Sequence, residues 1–334
     1  MKALITGATG FIGYHVAKLL KDKGILVSAL VRGGSETSDL KALGVDLSVG
    51  DVRYLTSISK ALKGCQQLYH LAADYRIWVN DPKNMYEINV QGTGNVMEAA
   101  LKMGIEKVVY TSTVGVLAAC SNGKPSDEET PVCIKDMVGH YKRSKFIAEK
   151  EVYSFIEKGL PVVIVNPTTP IGSMDRKPTP TGKMIVDFLN GKIPAYLDTG
   201  LNFVDVEDVA AGHMLAAQHG RIGQRYILGN KNISLKDFFE CLASITGKKP
   251  PKVRLPYVPV LLAAYVDETL SKITGRYPRI PLTGVKMARK YMYFDCSKAV
   301  RELNMPQSPV EGAIEKAVNW FKIYGYIKNL SLRG

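Results

Sequence analysis

Short apolar runs alternate with amphipathic stretches through the first two-thirds of the chain. Five of these runs lie at 2–6, 25–32, 66–73, 107–113 and 161–167. They are rich in Val, Ile and Leu and show no polar face, which is typical of parallel strands that helices cover on both sides. A later run at 224–230 predicts one more strand. The pattern therefore predicts an α/β fold with a doubly wound parallel sheet.

Helical patterns fill the intervals, and the rhythm changes after residue 167. The predicted helices lie at 11–24, 89–104 and 140–159. The stretch at 167–183 is rich in Pro, Thr and Gly and predicts a loop. The run at 255–266 is too short and too proline-broken to span a bilayer, so it predicts the start of a buried helix. We expect a first domain at 1–167, with returning strands near 200–230, and a mainly substrate-binding unit at 168–334.

Charge narrows the class of partner. The 334 residues carry a net charge of +13, and from Lys231 onwards 18 Lys and Arg stand against 8 Asp and Glu. A basic region can attract an anionic substrate, a nucleic acid or an acidic membrane, but no nucleic-acid motif accompanies this one. We therefore expect no nucleic-acid partner and at most a peripheral membrane contact.

The cysteines and histidines indicate neither a disulfide framework nor a metal site. The five cysteines are scattered without Cys-x-x-Cys spacing, and the five histidines lack ligand spacing. The chain opens on a strand-like run, with no basic segment and cleavage site before it. We expect a cytoplasmic protein with reduced thiols and no bound metal.

A glycine-rich turn follows the first predicted strand. Gly7, Gly10 and Gly13 have the spacing Gly-x-x-Gly-x-x-Gly and open the first predicted helix. We assign Gly7 to the tight turn, Gly10 to the approach of a pyrophosphate, and Gly13 to close packing of helix on strand. The helix N-terminus offers N–H groups to the anion, so the stretch predicts a dinucleotide site. The neighbouring residues assigned to this site are Thr9, Phe11 and Ile12.

The second predicted strand ends without a carboxylate and runs into Arg32 and Ser35. An NAD site usually places an acid here to hold the ribose diol, whereas an arginine accommodates the 2′-phosphate of NADP. Glu36 and Asp39 follow closely and can serve a diol instead. We favour NADP(H) as the cofactor and keep NAD(H) as the alternative.

Tyr141 and Lys145 lie four residues apart in the predicted helix at 140–159, which puts both side chains on one face. A nearby ammonium favours phenolate, so we expect Lys145 to lower the pKa of Tyr141 towards the range that acid–base catalysis needs. Thr113 ends the preceding strand, at the edge where ligands bind in such sheets. The sequence therefore predicts Thr113, Tyr141 and Lys145 as a catalytic set.

Six motifs occur along the chain in a characteristic order. They are TGATGFIG (6–13), HLAA (70–73), NVQGTGN (89–95), YTSTVGVL (110–117), YKRSK (141–145) and VNPTTPIG (165–172). This order resembles the extended short-chain dehydrogenases/reductases, and within them the dihydroflavonol-reductase-like proteins. The sequence is most similar to the bacterial hopanoid-associated sugar epimerase group. The resemblance implies a Rossmann domain followed by a smaller C-terminal α/β substrate cap.

The resemblance also implies further cofactor contacts. Asp51 and Val52 match residues beside the adenine, and Asn89 matches an asparagine with a structural role. The strand ends and turns under the cofactor match Leu71, Ala72, Ala73, Thr111, Asn166, Pro167, Thr168 and Thr169. The residues expected to contact substrate are Asp74, Tyr75, Thr113, Lys177, Thr179 and Asn202.

Two enzymatic functions fit these residues. Reduction of a ketone or aldehyde is favoured by Arg32, because cells hold the phosphorylated cofactor in its reduced form. Epimerisation of a nucleotide sugar is favoured by the basic C-terminal third, which suits a diphosphate, although Gly115-Val116-Leu117 departs from the Val-Tyr-Gly of many sugar-nucleotide enzymes. A non-catalytic NADP-binding sensor or scaffold is a third hypothesis. We expect a small-molecule substrate and a monomer or homodimer.

Overall fold

A seven-stranded parallel sheet organises the chain. The computed structural model describes residues 1–120 and 124–327. The strands are β1 (Lys2–Thr6), β2 (Leu26–Val31), β3 (Asp46–Val49), β4 (Gln67–His70), β5 (Lys107–Thr111), β6 (Val162–Pro167), β7 (Thr169–Ile171), β8 (Ala195–Leu197), β9 (Gly200–Asp205), β10 (Arg225–Leu228), β11 (Lys231–Ser234) and β12 (Val253–Leu255). The large sheet has the order β10-β6-β5-β4-β1-β2-β3, and all its neighbouring strands are parallel. The order reverses beside β1, which is the doubly wound arrangement that the sequence predicts.

Helices cover both faces of this sheet. They are α1 (Phe11–Asp22), α2 (Ser38–Ala42), α3 (Leu55–Leu62), α4 (Lys83–Tyr86), α5 (Gly92–Lys102), α6 (Gly139–Glu157), α7 (Pro180–Leu189), α8 (Val206–His219), α9 (Leu235–Thr246), α10 (Tyr257–Thr274), α11 (Leu282–Met287), α12 (Ser297–Leu303) and α13 (Val310–Ile323). A π-helical turn precedes α5, and two short 3₁₀ turns occupy Val114–Val116 and Ile134–Asp136.

The apolar runs form strands because the side chains of each such strand pack into two hydrophobic cores, one on either face of the sheet. Val163 and Val165 of β6 belong to the core that includes α1 and α8 residues. Val162 and Ile164 belong to the opposite core, which includes α5 and α6 residues. Alternate side chains of a strand point to opposite faces, so a strand buried on both sides needs apolar residues at every position.

The segment after residue 167 differs in part from the predicted loop. It forms β7, then a turn, then α7, which begins at Pro180 after the N-cap residue Thr179. Proline suits the first turn of a helix because its missing N–H has no partner there. Strands β7, β9 and β11 form a second sheet, and β8 pairs with β12. Strand β10 returns to the large sheet beside β6.

The prediction of a buried helix start at 255–266 is wrong. Helix α10 begins at Tyr257, but within it only Ala264 and Ser271 are buried. Its apolar side chains lie mostly at the surface, with Val258 62% exposed and Ile273 77% exposed. The apolar side chains of this stretch therefore belong to a surface helix and not to the core.

Among the described residues, both a membrane-spanning helix and a metal-binding cluster are absent. Across residues 1–120 and 124–327, no helix combines the length and apolar character that a membrane crossing requires. Within the same ranges, no three His, Cys, Asp or Glu side chains form a group that could hold a metal ion.

Candidate functional site

The turn between β1 and α1 is shaped by three glycines. Gly7 has φ +80°, which L side chains rarely adopt, and a Cβ there would lie 2.7 Å from the Ala72 backbone nitrogen. A Cβ on Gly13 would lie 2.1 Å from the Gly7 carbonyl oxygen, so only glycine lets α1 approach the turn this closely. Gly10 is the N-cap of α1 and has no side-chain cap. The first N–H groups of α1 are therefore available to an anion, which fits a dinucleotide pyrophosphate.

The end of β2 carries a positive charge. Arg32 is exposed, and no carboxylate among the described residues forms an ion pair with it. The Ser35 N–H donates to the Arg32 carbonyl. The nearby acids are engaged elsewhere, because Asp39 pairs with Arg176 and Glu36 accepts from the Ser38 N–H. This arrangement leaves Arg32 as the free charged group at the strand end.

Asp51 and Val52 lie after β3. The Asp51 carboxylate accepts from the Arg53 guanidinium at 2.8–3.1 Å, and this contact holds the pKa of Asp51 below its usual range. Val52 is buried beside Gly92 at the start of α5, whose added Cβ would meet the valine at 2.8 Å. The adenine contact expected of these two residues stays a prediction.

Tyr141 lies in the first turn of α6. Burial raises the pKa of Tyr141, the nearby Thr113 side chain acts in the opposite direction, and the Tyr75 phenol raises it further. Thr113 follows β5, and its hydroxyl also accepts from the Gly115 N–H at 3.0 Å. The structure thus brings the expected threonine and tyrosine together, with Tyr75 beside them.

Lys145 lies one turn further along α6 and is 2% exposed. Its ammonium donates to the Tyr110 hydroxyl at 2.9 Å and to the Thr111 carbonyl at 2.8 Å. Burial lowers the pKa of Lys145 to about 7, against a smaller opposing effect of Glu149. The backbone of β5 therefore fixes the position of this amine.

The expected effect of Lys145 on the Tyr141 phenol differs from the structure. The pKa of Tyr141 is raised, not lowered, and burial is the main cause. Desolvation disfavours the phenolate, while the Lys145 ammonium is directed to the Tyr110 hydroxyl and a backbone carbonyl. Spacing along the helix predicted a shared face, but it could not predict which acceptors the lysine uses.

Asn89 joins the loop after β4 to helix α6. It is buried, and its side-chain oxygen accepts from the Asp74 N–H at 2.7 Å. Its side-chain nitrogen donates to the Asp74 carbonyl and to the Ser144 hydroxyl, both at 2.9 Å. Asn89 thus makes the contacts expected of a structural residue, because its side-chain amide bonds both the loop after β4 and helix α6.

The other expected cofactor residues line the carboxyl edges of β4, β5 and β6. Leu71, Ala72 and Ala73 follow β4 directly, and the first two form the wall behind Gly7. Asn166 is buried at the end of β6, where its amide donates to the Thr113 carbonyl at 3.0 Å. The Asn166 side-chain oxygen has no hydrogen-bond partner among the described residues.

Three of these residues have their polar groups bonded within the protein. The Thr111 hydroxyl lies 2.9 Å from His213 Nε2. The Thr168 N–H and hydroxyl both donate to the Leu228 carbonyl, and Thr169 pairs with Phe203 between strands. Pro167 is the buried last residue of β6. Their contact with a cofactor stays a prediction.

The expected substrate residues differ in exposure and in whether their polar groups are already bonded within the protein. Tyr75 is 44% exposed and lies near Tyr141, whereas the Asp74 carboxylate is bound by Arg76. Lys177 is exposed. Thr179 caps α7 and donates to Asp175, and the Asn202 amide bonds Asn232 and the Asn230 N–H. Thr179 and Asn202 thus have structural hydrogen bonds, and their substrate contacts stay predictions.

Sequence reasoning missed several buried ionisable groups near the site, among them Lys142 and Asp175. Lys142 is 8% exposed and lies beside Gly115 and 4.0 Å from the Met292 sulfur, and burial lowers its pKa to about 8. Asp175 is buried, and burial raises its pKa to about 6. Neither position breaks the helical or loop pattern around it, so the sequence offered no signal for either.

This chain is similar to proteins of known family and structure. A sequence profile of the NAD dependent epimerase/dehydratase family matches residues 3–229. The chain belongs to this family. The family corresponds to the extended short-chain dehydrogenases/reductases, so the resemblance found in the motifs is confirmed. The glycine turn, the buried lysine and the threonine–tyrosine pair of this family member all lie within the matched residues.

Curated relatives cover almost the whole family member. It is 44% identical over 328 residues to a Synechocystis protein named "Putative dihydroflavonol 4-reductase", covering 97% of this chain and 95% of that protein. It is 31% identical to sterol demethylase protein B of Methylococcus capsulatus, covering 98% and 100%. A crystal structure of gox2253 superposes with a TM-score of 0.88 at 46% identity, covering 98% of this chain and 99% of that one.

Proposed function

We propose that the protein is an NADP(H)-dependent reductase of a ketone or aldehyde. The observation that carries this proposal is the buried amine of Lys145, which the Tyr110 hydroxyl and the Thr111 carbonyl hold one helical turn from Tyr141, beside the end of β5 where Thr113 lies. This group stands at the carboxyl edge of the sheet on which the glycine turn also lies. Ligands of open α/β sheets bind at that edge, next to the reversal in strand order.

The protein's own groups supply the proton chemistry. The Thr113 hydroxyl can donate to the substrate carbonyl oxygen and hold it against Tyr141. A bound nicotinamide supplies the hydride that adds to the carbonyl carbon. The Tyr141 phenol gives its proton to that oxygen, so the product is an alcohol. Because burial raises the pKa of Tyr141, the phenol stays protonated at neutral pH and is ready to act as the acid.

Lys145 is suited to restore that proton. Its pKa of about 7 lies near the working range, since burial disfavours its ammonium form. An amine with this pKa can exchange a proton at neutral pH, whereas an ordinary lysine stays charged. The bonds to Tyr110 and to the Thr111 carbonyl fix the amine close to the strand end.

Arg32 supports the choice of NADP(H). Its exposed guanidinium at the end of β2 can pair with a 2′-phosphate, and the acids that could serve a ribose diol are engaged with Arg176 and Ser38. We expect Arg32→Ala to weaken NADPH binding and leave NADH binding nearly unchanged, because NADH lacks that phosphate. Adding each cofactor in steps to the protein while recording its intrinsic fluorescence measures this difference in affinity. Equal losses for NADPH and NADH would contradict the role of Arg32.

Epimerisation of a nucleotide sugar is the alternative, because the family profile spans epimerases and dehydratases. The name of the Synechocystis relative favours reduction. Purified protein is incubated with NADPH and a panel of aldehydes, ketones and nucleotide sugars. Loss of NADPH absorbance with alcohol formation supports the reductase. Isomerised sugar without net change in cofactor would overturn it.

Tyr141→Phe tests the acid. Loss of a positioned proton donor should lower turnover by about 10²–10⁴-fold. The cofactor should still bind, because the glycine turn is untouched. Tyr54→Phe is the matched control, since Tyr54 is 61% exposed and remote from β5 in sequence. Turnover of Tyr141→Phe that equals wild type would show that another group gives the proton.

A further inference from the structure

Helix α10 presents an apolar surface to the outside of the protein. Its exposed apolar side chains define what we call the α10 face, and they are Val258, Leu262, Tyr265, Val266, Leu270 and Ile273. Val258, Leu262, Val266, Leu270 and Ile273 recur at intervals of three and four residues, and Tyr265 lies three residues after Leu262, so all six share one side of the helix. A surface helix normally turns such a stripe towards the core. Here the stripe points away from it.

Helix α10 has three charged residues, Asp267, Glu268 and Lys272, and both acids are bonded to the segment that follows the helix. Asp267 accepts from the Arg276 guanidinium and from the Ile280 N–H at 2.8 Å. Glu268 accepts from the Leu282 N–H at 3.3 Å, and Lys272 lies 3.9 Å from its carboxylate. The acids are thus used to hold the connection to α11, and the outer side keeps its apolar character.

Four cations lie beside the α10 face and form what we call the basic rim, namely Arg254, Lys272, Lys286 and Arg289. Residues 248–290 contain ten Lys and Arg against two acids, a net +8 of the chain's +13. The Lys286 ammonium lies 5.1 Å from the centre of the Tyr265 ring, which belongs to the face. Arg254 and Arg289 line a cavity of about 430 Å³ together with Tyr257, the first residue of α10. The cation of Lys286 therefore lies directly against the apolar face, Arg289 lies near the first turn of α10, and Arg254 is paired there with Asp198 at 2.8 Å.

We propose that the α10 face docks on an anionic lipid bilayer. The helix lies in the plane of the interface, its apolar side chains enter the boundary of headgroups and acyl chains, and the basic rim contacts lipid phosphates. A peripheral helix of this kind needs both parts, because apolar contact and attraction to anionic lipids add together.

A second copy of the chain is a poorer occupant of this surface. A two-fold interface is isologous, so it would bring two copies of the same patch together. Each patch carries the +8 segment, and like charges placed face to face oppose association. An anionic membrane offers the opposite charge and an apolar layer at the same time. Charge complementarity therefore selects lipid.

The segment that follows α10 contacts the neighbourhood of the candidate site. The Tyr277 ring, just beyond α10, lies 5.5 Å from the Trp78 ring in the loop that follows β4. Thr283 of α11 lies against Gly139, the first residue of α6, where an added Cβ would meet it at 2.6 Å. Docking would hold the start of the catalytic helix near the bilayer, and this bearing on catalysis rests on the proposed function.

Vesicle sedimentation tests the docking. Wild-type protein is mixed with vesicles of phosphatidylcholine and phosphatidylglycerol in equal parts, and in parallel with phosphatidylcholine alone. We expect the protein to pellet with the anionic vesicles and to be released by high salt, which screens exposed charges. Protein that stays in the supernatant with both vesicles, or that binds both equally at high salt, overturns the proposal.

Two pairs of substitutions separate the apolar and basic contributions. Leu262→Glu with Val266→Glu should abolish pelleting. Lys272→Gln with Lys286→Gln should weaken it about 25-fold, at about fivefold for each basic residue near an anionic surface. Leu26→Glu with Val49→Glu is the matched control, because both residues are exposed strand positions in the large sheet. The control should pellet as wild type does.

Light scattering tests the competing occupant. One outcome overturns the lipid proposal and makes the face an interface between copies. In that outcome wild type is a dimer, Leu262→Glu with Val266→Glu converts it to a monomer, and neither wild type nor any variant pellets with vesicles. Thermal unfolding of each variant verifies the fold, since all four substituted positions of the α10 region are exposed or rim positions. NADPH affinity, measured separately, reports on the proposed function alone.

Discussion

Replacing Lys142 by methionine should stabilise the protein. Lys142 lies in the first turn of α6, is 8% exposed, and forms no ion pair among the described residues. Its ammonium lies 4.0 Å from the Met292 sulfur, next to a cluster of buried apolar side chains. Methionine has nearly the same length and carries no charge to desolvate, so it should fill the same space.

The pKa gives the magnitude. Burial lowers the pKa of Lys142 from 10.5 to about 8, so keeping the ammonium in the folded state costs about 3 kcal/mol at neutral pH. For a protein of 334 residues, about 3 kcal/mol corresponds to a rise in Tm of about 4 °C. We expect Lys142→Met to recover most of this difference at pH 7.

The pH dependence distinguishes this cause from simple repacking. Between pH 8 and pH 10.5 the unfolded state binds the Lys142 proton more strongly than the folded state does, so wild type gains stability as the pH rises. The advantage of Lys142→Met should therefore be full below pH 8 and fade towards pH 10.5.

Thermal and urea unfolding across this pH range measure the effect. Lys60→Met is the matched control, because Lys60 is exposed on α3 and its removal should change stability by less than about 0.5 kcal/mol. A lower Tm for Lys142→Met than for wild type would refute the reasoning. So would an advantage that stays constant from pH 7 to pH 10.5.

Three further changes test the site. Gly13→Ala should lower both Tm and cofactor affinity, because its Cβ would meet the Gly7 carbonyl at 2.1 Å; unchanged calorimetric binding would contradict this. Lys145→Met should lose turnover yet raise Tm at pH 7, since burial lowers the pKa of Lys145 to about 7 and the charged form is costly below it; a lower Tm would contradict this. Asn89→Ala should cost about 1–3 kcal/mol and lower kcat, because Ser144 and the Asp74 backbone lose their partner; an unfolding curve like that of wild type would contradict this.

The sequence predicted six of the seven strands of the large sheet, because a strand buried on both faces needs a continuous apolar run. The run at 107–113 became β5 (Lys107–Thr111), and the run at 161–167 became β6 (Val162–Pro167). Helix α6 also begins and ends within two residues of the predicted range 140–159. Short elements such as α2 and β3 carry too few residues to show a period, and they were not predicted.

The candidate site was predictable as a set of positions, not as a set of contacts. Motif order identified Tyr141, Lys145 and Thr113, but burial decided the direction in which the pKa of Tyr141 moved. Lys142 lies beside Tyr141 in the sequence and reads as another surface cation, yet it is buried. The α10 prediction failed for the same reason, because apolar sequence does not reveal whether the rest of the fold supplies a cover.

Two interior imidazoles join the layers of the fold. His70 lies between the Thr6 and Thr93 hydroxyls, and His213 bonds Thr111 and the Val209 carbonyl. Burial lowers the pKa of His70 to about 3 and that of His213 to about 4. Below pH 6.5 both histidines become protonated in the unfolded chain but stay neutral in the folded protein. The free energy of unfolding therefore falls by about 1.4 kcal/mol per ring for each further pH unit. Mild acid should therefore destabilise this protein through two buried rings that lie outside the proposed catalytic set of Thr113, Tyr141 and Lys145.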